Sequence, residues 1–241
     1  MILSQFPEIL VATSTKDDGN MSLVKGDPKQ ALKNRKQFLK QLGVSLDEIV
    51  SMQAVHGTDL LFVRKNEKGR GSKSNSNAPE IDGLITKESG VYLFLLTADC
   101  LPVALFDPQK QVIGLIHAGR AGLVKGILSS TISKFIKDFK SDPKDILVYI
   151  APSIGPCCYG PADPQNSPEV LKKYIRENNG QLTIDLWQLT QDQLVETGVL
   201  PENIENSKIC SYHNDYFSNR KFKAENLEDD FRFATVLGLK P

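Results

Sequence analysis

Apolar runs that end in a soft donor side chain are the feature that most limits what this chain can fold into. Three such runs in the 241-residue chain end at His56, Cys100 and His117. The run before Cys100, Val91–Thr97, is almost entirely apolar, which is typical of a strand that is buried on both faces. Strands of this kind are covered by helices, so the run predicts an α/β fold. Proteins of that class gather their reactive side chains at strand ends.

The rest of the pattern predicts further helices and strands around this centre. Asp27-Pro28 opens a helix that Gly43 ends, and 119–140 is the clearest helix because its apolar residues recur every three or four positions. Strands are predicted at 8–13, 49–55, 60–64, 81–86, 91–97, 103–106, 111–117, 145–150, 216–222 and 233–237, with further helices at 167–178 and 185–197. The chain shows no repeat and no linker, so one domain over 1–241 is the simplest expectation.

The sequence also predicts the structure of two connecting segments. Gly57-Thr58-Asp59 is a turn signal, so the strands at 49–55 and 60–64 are expected to form a hairpin. Asn66–Glu80 is rich in Ser, Asn, Lys and Gly. A segment of that composition is expected to be a mobile surface loop, too polar to pack.

Charge and composition limit the partners and the compartment. Lys+Arg and Asp+Glu both number 29, so the formal net charge is zero. A dedicated nucleic-acid or membrane-surface binder would be basic, so neither partner is expected. No apolar run approaches the roughly 20 residues of a membrane span, and Met1–Leu10 lacks the pattern of a signal peptide. We therefore expect a cytoplasmic protein, with its four cysteines reduced.

His56, Cys100 and His117 form the central candidate site. Zinc binds thiolate and imidazole well, and three protein ligands leave a fourth position for water or substrate. A metal there can activate water or polarise a substrate atom. The spacings of 44 and 17 residues match no local metal motif. A buried cysteine beside two hydrogen-bonded histidines therefore remains the alternative. Asp99 would orient a ligand imidazole or act as a general base, or else cap a turn.

The turn from His117 through Gly119 into the long helix is a candidate phosphate site. Free amides at a helix start favour an anion, and Arg120 and Lys125 would add positive charge. A simple tight turn is the alternative, because a glycine-containing strand-to-helix turn alone is a weak signal.

The segment 152–159 follows a buried strand and contains Cys157 and Cys158. Adjacent cysteines pair with each other only under strain. They would line a pocket or be inert small hydrophobes, and the inert role is favoured for at least one of them. Nothing near His213 marks it as a ligand, so it is expected to be a surface or supporting residue.

Several segments together resemble one known family. In chain order they are Gln53-Ala54-Val55-His56-Gly57, Asp82-Gly83-Leu84-Ile85-Thr86, Thr97-Ala98-Asp99-Cys100-Leu101-Pro102-Val103, His117-Ala118-Gly119, Ser153-Ile154-Gly155-Pro156-Cys157-Cys158-Tyr159, Asp185-Leu186-Trp187 and Phe217-Ser218-Asn219-Arg220. The chain resembles the YfiH/laccase-domain family, also called the multicopper polyphenol oxidase or purine nucleoside phosphorylase family. The resemblance runs from about Leu10 to Leu239.

The resemblance implies a fold, a metal site and an activity. The fold is a single α/β (α+β) domain with mixed β-sheets flanked by helices, and the metal ligands are His56, Cys100 and His117, holding zinc or alternatively copper. The activity is that of a purine nucleoside enzyme, which performs phosphorolysis of adenosine, inosine or methylthioadenosine and deamination of adenosine. Nucleoside and phosphate are then the small-molecule partners. The expected catalytic residues are Cys100, His117 and Asp99, and the expected substrate-binding residues are Arg120, Lys125 and Gln53.

Two other activities remain as alternatives. One is a copper-dependent polyphenol oxidase (laccase), although multicopper oxidases need many histidine ligands and this chain has three. A mononuclear His-His-Cys site suits zinc, and copper also binds such ligands tightly. The other is a hydrolase that acts in peptidoglycan precursor editing, with Cys100 as nucleophile, His117 as its base and no metal.

The chain departs from the family pattern at one position of consequence. Family members usually continue His-Ala-Gly with Trp-Arg-Gly, whereas this chain has Arg120-Ala121-Gly122. An arginine that moves by one helical residue turns by about 100° around the axis. The resemblance therefore implies a substrate-binding role for Arg120, but the side chain of Arg120 would point in a different direction around the helix axis.

Overall fold

Two β-sheets pack face to face, and helices cover the outer side of each sheet. The computed structural model describes residues 1–228 and 230–241. Its strands are β1 (Ile9–Thr13), β2 (Ile49–Ser51), β3 (Leu60–Phe62), β4 (Gly83–Thr86), β5 (Tyr92–Thr97), β6 (Leu101–Asp107), β7 (Val112–Ala118), β8 (Leu147–Ile150), β9 (Ile175–Asn178), β10 (Gln181–Ile184), β11 (Ile204–Asn206) and β12 (Phe233–Leu239). Its α-helices are α1 (Pro28–Gln41), α2 (Arg120–Val124), α3 (Ile127–Phe139), α4 (Glu169–Lys172), α5 (Leu186–Glu196) and α6 (Asn219–Ala224).

Both central sheets mix parallel and antiparallel neighbours. The four-stranded sheet has the order β1-β12-β5-β2, and the six-stranded sheet has the order β11-β8-β6-β7-β4-β3. The strands β9 and β10 form a separate antiparallel hairpin. The expected α/β fold, with mixed sheets flanked by helices, is confirmed.

The central strands bury side chains on both faces, as the apolar runs predict. On β5, Leu93 and Leu95 pack between the two sheets, whereas Tyr92 and Phe94 pack on the side covered by α1. Each fully buried side chain of this size contributes about 1.5–3 kcal/mol relative to an exposed one. A strand with such residues on both sides is therefore stable only inside a layered fold.

The helix α1 begins and ends where the sequence predicts. The Asp27 side chain accepts a hydrogen bond from the Lys29 amide at 2.9 Å, and Pro28 occupies the first helical position. Gly43 has a φ of 71°. This left-handed conformation is one that glycine adopts without strain, and it ends the helix.

The expected long helix at 119–140 is wrong in one respect, because two helices occupy this segment. Gly126 lies between α2 and α3 with a φ of 83° and ψ of 37°. One left-handed residue breaks the hydrogen-bond ladder of a right-handed helix. The apolar spacing continues across the break, so periodicity alone did not reveal it.

The expected hairpin at 49–64 is also wrong, because β2 and β3 belong to different sheets. The segment between them does not turn tightly. Its amides at Val55, His56 and Gly57 donate to the Asp82 carboxylate at 3.4, 2.9 and 2.6 Å. A long-range carboxylate, which no local pattern reveals, therefore decides the path of this segment.

Two further predictions about local structure are corrected. The helix expected over 167–178 is only the short α4, followed by the β9–β10 hairpin. The hairpin turns at Asn179-Gly180, where both residues have positive φ, and Asn-Gly is a strong signal for such a turn. The strand expected over 216–222 is wrong, because α6 occupies this region. The Ser218 side chain caps α6 by accepting from the Lys221 amide.

The polar segment 66–80 packs against the rest of the fold, contrary to the expectation of a loop too polar to pack. Ser72 is fully buried, and Arg35 of α1 lies beneath it with 1% of its surface exposed. The Arg35 guanidinium donates to the carbonyl oxygens of Met21, Gly71 and Ser72 at 2.7, 3.1 and 2.8 Å. The buried Arg35 guanidinium therefore attaches segment 66–80 to the rest of the fold, a task that apolar side chains would otherwise perform. Across the described residues, no helix is long and apolar enough to cross a bilayer.

Replacing Arg35 with Met is expected to destabilise the fold. The substitution leaves three buried carbonyl oxygens without a donor, which should lower the free energy of unfolding by about 2–4 kcal/mol. Urea denaturation measures this change. Lys36→Met on the exposed side of the same helix is the matched control and should change stability by less than about 0.5 kcal/mol. Equal effects of the two substitutions would contradict the anchoring role of Arg35.

Candidate metal centre

The folded chain brings together the three donors that are far apart in sequence. One ligand atom each of His56, Cys100 and His117 lies within 4.8 Å of the others. His56 lies in the loop after β2, Cys100 immediately precedes β6, and His117 lies near the end of β7. Strands β6 and β7 are antiparallel, with Leu101 opposite Ala118. The start of β6 therefore lies beside the end of β7, so Cys100 and His117 lie close together at the same end of these two paired strands.

Asp82 holds two of these donors in place. Its Oδ1 lies 2.8 Å from Nδ1 of His117, and its carbonyl oxygen accepts the His117 amide at 2.8 Å. The same carboxylate accepts the amides of His56 and Gly57. With Nδ1 of His117 bonded to Asp82, its Nε2 is the nitrogen left for a metal, and such a carboxylate fixes the orientation of a ligand imidazole.

The loop that carries His56 is held in a rare backbone conformation. His56 has a φ of 59°, which few residues other than glycine adopt and which persists only when the surroundings enforce it. Asp82 binds the amide of His56, and Nζ of Lys125 donates to its carbonyl oxygen at 3.0 Å. Lys125 thus supports the loop of a donor residue.

Gly119 leaves the space that an ion would need. A Cβ at this position would lie 2.8 Å from Nδ1 of His56, 3.1 Å from Sγ of Cys100 and 3.2 Å from Cε1 of His117. The three side chains therefore surround a cradle that one carbon atom would fill. One thiolate and two imidazoles are ligands that zinc accepts, with a fourth position left open. The residues present fit a metal ion.

The electrostatics of the cluster follow from its burial and its pairing. Burial alone would lower the pKa of His117, but hydrogen bonds to Asp82 and Cys100 raise it to about 9. Burial lowers the pKa of His56, and the neighbouring charge of His117 lowers it further. Burial alone would raise the pKa of Asp82, yet its bonds to His117 and to the amides of Gly57 and His56 hold that pKa below the usual range. Asp82 is therefore an anion beside the donors.

The cluster lies on the wall of a cleft of about 800 Å³. The lining residues are Ser22, Val24, Lys25, Met52, Gln53, Ala54, His56, Asn75, Leu96, Thr97, Ala98, Asp99, Cys100, His117, Tyr159, Asn219, Arg220, Lys223 and Arg232. Gln53 and Asn75 are joined by a side-chain hydrogen bond. The segment anchored by Arg35 therefore supplies part of the wall.

Positive side chains also line the cleft, and three of the four come from the last part of the chain. Lys25 and Arg232 both contact the Asp230 carboxylate. Among the described residues, Arg220 and Lys223 form no ion pair with a carboxylate side chain. The Arg220 guanidinium lies 5.2 Å from the ring centre of Tyr159 and donates to the Gly160 carbonyl oxygen. Two cations thus remain available to an anionic ligand.

Asp99 also lines the cleft and is tightly held. It is buried with a φ of 99°. Its carboxylate accepts the Ser211 hydroxyl at 2.8 Å and the Arg220 amide at 2.6 Å. These bonds hold the Asp99 carboxylate against Ser211 and the start of α6, whereas the carboxylate that contacts the His117 imidazole is that of Asp82. The general-base role of Asp99 stays a prediction.

The three residues predicted to bind substrate do not all lie in the cleft. Gln53 lines the cleft, whereas Arg120 and Lys125 lie outside the wall formed by the described residues. Both are exposed in or next to α2. The free amides that were expected to bind phosphate lie at the start of α2. Because α2 has only five residues, these amides belong to a short helix and not to the long helix that was expected.

Sequence reasoning missed Asp82 and Arg220 as site residues. Asp82 lies in one of the family-like segments, and its position beside His117 arises from the antiparallel pairing of β4 with β7. Arg220 lies in another such segment, but the expected strand at 216–222 concealed its place at the start of a helix. The position of Asp82 and Arg220 within family-like segments was the signal that could have identified them as site residues.

Comparison with known proteins identifies relatives along most of the chain. The family model described as multi-copper polyphenol oxidoreductase laccase matches residues 11–239. Purine nucleoside phosphorylase YlmD of Geobacillus stearothermophilus is 34% identical over 213 residues, which cover 84% of this chain and 78% of that protein.

Solved structures give the same result for the fold. The crystal structure of YlmD from Geobacillus stearothermophilus superimposes with a TM-score of 0.88 at 31% identity, covering 98% of this chain and 93% of that one. The hypothetical protein YfiH of Bacillus licheniformis superimposes with a TM-score of 0.87 at 28% identity, covering 96% and 93%. The resemblance inferred from the sequence is confirmed.

A methyl group at Gly119 is expected to fill the space between His56, Cys100 and His117 that an ion would occupy. Gly119 has a φ of −77°, which alanine tolerates, so Gly119→Ala acts through its neighbours alone. We expect zinc affinity to fall by about 10- to 100-fold, as measured by competition with a chromophoric chelator. Ala121→Ser adds one atom at an exposed position nearby and should leave the affinity unchanged. Full zinc affinity in Gly119→Ala would contradict metal binding between the three donors.

Proposed function

Because the chain belongs to the family of multi-copper polyphenol oxidoreductase laccases, and a relative in it is named a purine nucleoside phosphorylase, we propose that this protein is a metal-dependent purine nucleoside phosphorylase. Zinc is the proposed ion, held by His56, Cys100 and His117. The same site is proposed to deaminate adenosine. Nucleoside and inorganic phosphate are the proposed substrates.

The observation that supports this proposal is the pairing of a three-donor cluster with an available cationic wall in one cleft. The cleft, at about 800 Å³, lies within the size range of small-molecule sites. Arg220 and Lys223 form no carboxylate ion pair among the described residues. An arginine beside an aromatic ring is well suited to a phosphate group, because its planar guanidinium offers paired donors.

The reaction requires one bond to form and one to break at the ribose. A phosphate oxygen attacks C1′, the bond from C1′ to the purine nitrogen breaks, and its electron pair leaves with the base. The base takes up a proton, and the products are ribose 1-phosphate and purine. A metal at the three donors would supply Lewis acidity to the reacting groups when bound.

The chain's own residues then have separate tasks. Arg220 and Lys223 would hold and orient the phosphate, which places the nucleophile at the ribose and lowers the entropic part of the barrier. Tyr159, which lines the cleft, offers apolar surface for the purine ring. Gln53, fixed by Asn75, offers an amide to polar groups of the substrate.

Asp99 is proposed as the proton acceptor in deamination. There a water oxygen bonds to C6 of adenine and ammonia leaves, so the water must lose a proton. The bonds from Ser211 and Arg220 orient the Asp99 carboxylate, and a fixed orientation is what a general base requires.

Product analysis tests the proposed reaction. Zinc-loaded protein is incubated with adenosine or inosine in the presence and absence of phosphate, and products are separated by chromatography. Phosphate-dependent release of adenine or hypoxanthine together with ribose 1-phosphate is expected, as is inosine from adenosine. His117→Ala should abolish all products. If the zinc-loaded protein yields none of them, the proposal is rejected.

A second function is favoured by one specific observation. Cys100, His117 and Asp82 lie next to one another: Nδ1 of His117 is 2.8 Å from Oδ1 of Asp82, and a ring nitrogen of His117 lies within 4.8 Å of Sγ of Cys100. In a metal-free hydrolase the Cys100 sulfur would attack a carbonyl carbon. Its proton would pass to His117 and then to the leaving group, and water would hydrolyse the thioester.

Chelation and alkylation distinguish these two functions. Under the metal-dependent proposal, dialysis against a chelator should remove activity and added zinc should restore it. A hydrolase would keep its activity after chelation and lose it on alkylation of Cys100. Copper-dependent oxygen uptake with a phenol, without nucleoside turnover, would instead favour the oxidase, which the three histidines of the chain disfavour.

Replacing Arg220 with Gln is expected to weaken phosphate use selectively. Loss of a charge-assisted contact of about 1.5–3 kcal/mol should raise the KM for phosphate by about tenfold or more. Initial rates over a range of phosphate concentrations measure this effect. Lys221→Gln, on the neighbouring residue outside the cleft wall, is the matched control. An unchanged KM for phosphate in Arg220→Gln would show that the anion binds elsewhere.

A further inference from the structure

A second group of soft donors lies apart from the first site. One ligand atom each of Cys157, Cys158 and His213 lies within 4.8 Å of the others. Sγ of Cys210 lies 3.5 Å from Sγ of Cys157. These four residues, the Cys-His cluster, include every cysteine of the chain except Cys100 and the one histidine that the first site does not use.

We propose that the Cys-His cluster binds a second zinc ion, with three thiolates and the His213 imidazole as its four ligands. A complete set of four protein ligands is typical of structural zinc sites, whereas the first site offers three. The proposed role is therefore to stabilise the fold, without a direct part in the chemistry of the cleft.

The distances among Cys157, Cys158 and His213 suit tetrahedral coordination after a small outward movement, whereas Sγ of Cys210 lies outside the group of atoms within 4.8 Å of one another and would move inwards to complete the site. Zinc–sulfur bonds of about 2.3 Å place two thiolates about 3.8 Å apart in a tetrahedron. Sγ of Cys157 lies 3.2 Å from Sγ of Cys158 and 3.5 Å from Sγ of Cys210. Nε2 of His213 lies 2.9 Å from Sγ of Cys158. An ion at the centre would separate these atoms by a few tenths of an ångström.

The surroundings of the cluster also match those of a thiolate site. The Gly155 amide donates to Sγ of Cys210 at 3.2 Å, and such outer hydrogen bonds orient metal ligands. A Cβ at Gly155 would lie 3.3 Å from Sγ of Cys157, so glycine lets the backbone approach the sulfurs closely. The Asn178 side chain fixes the Cys157 carbonyl oxygen at 3.0 Å.

A disulfide explains the geometry less well. Sulfur–sulfur separations of 3.2 and 3.5 Å exceed the disulfide bond length of about 2.05 Å. A bond between the neighbours Cys157 and Cys158 would also be strained. A disulfide would leave His213 and at least one thiol without a role, whereas a zinc ion uses all four side chains.

The proposed ion would join a loop that lines the cleft at Tyr159 to a loop that supports the cleft residue Asp99. Cys157 and Cys158 immediately precede Tyr159, and Cys210 immediately precedes Ser211, which holds Asp99. The two loops already touch through the Ser153–Cys210 backbone bridge. Four coordinate bonds at this point would fix both loops relative to each other.

Zinc content and sulfur coordination test the proposal on the full chain. Protein purified with its thiols reduced should hold two zinc ions per chain. Zinc-edge X-ray absorption should find an average of two sulfurs per ion, because four cysteines then serve two ions. The double variant Cys157→Ser/Cys158→Ser should hold one ion, as should Cys100→Ser, which removes a ligand of the first site instead. Wild-type protein that holds a single zinc ion bound by three sulfurs would reject the first site and leave this proposal standing.

Further measurements keep the test independent of folding defects in the variants. His213→Ala should weaken binding of the second zinc by at least tenfold, with Asp215→Asn as the exposed control nearby. Hydrogen exchange should show that chelation opens the backbone at 153–160 and 209–214. One zinc with a single sulfur in wild-type protein would overturn the proposal, as would a disulfide among Cys157, Cys158 and Cys210 in protein purified without an oxidant.

Discussion

The carboxylate of Asp82 is the interaction on which the candidate site depends. It accepts amides from the loop that leaves the four-stranded sheet and also contacts the imidazole of His117 in the six-stranded sheet. A single anion thus sets the distance between two donors that arise from different sheets. Its loss would leave partly buried amides without their acceptor and would free the loop of His56 from its rare conformation.

The layered fold and the site follow from the same strands. The apolar residues of β5, β6 and β7 are buried on both faces, which makes these strands the rigid centre of the molecule. Polar chemistry is therefore confined to the strand ends, where the backbone leaves the sheet. Cys100 and His117 lie there because β6 and β7 are antiparallel neighbours, and Gly119 keeps the space between their side chains open.

The sequence predicted well those features that depend on local pattern. The buried strands, the caps of α1 and the three donor residues were all marked by periodicity or by residue type. Three of the errors depend on a distant contact or on a single backbone angle. Asp82 determines the path after β2, Arg35 anchors segment 66–80, and Gly126 divides a helix whose apolar spacing continues unbroken. The cationic wall was missed because Arg220 comes from a helix that appeared to be a strand.

The position of β12 within its sheet has a consequence for folding kinetics. This strand lies between β1 and β5, so residues near opposite ends of the chain, such as Ile9 and Leu239, are direct neighbours. Adding strands one after another cannot build such a sheet, because its central position stays vacant until a very long loop closes. Closure over that length lowers the rate of folding without lowering the stability of the product. Until β12 arrives, β1 and β5 expose unpaired edges that are open to association with other chains.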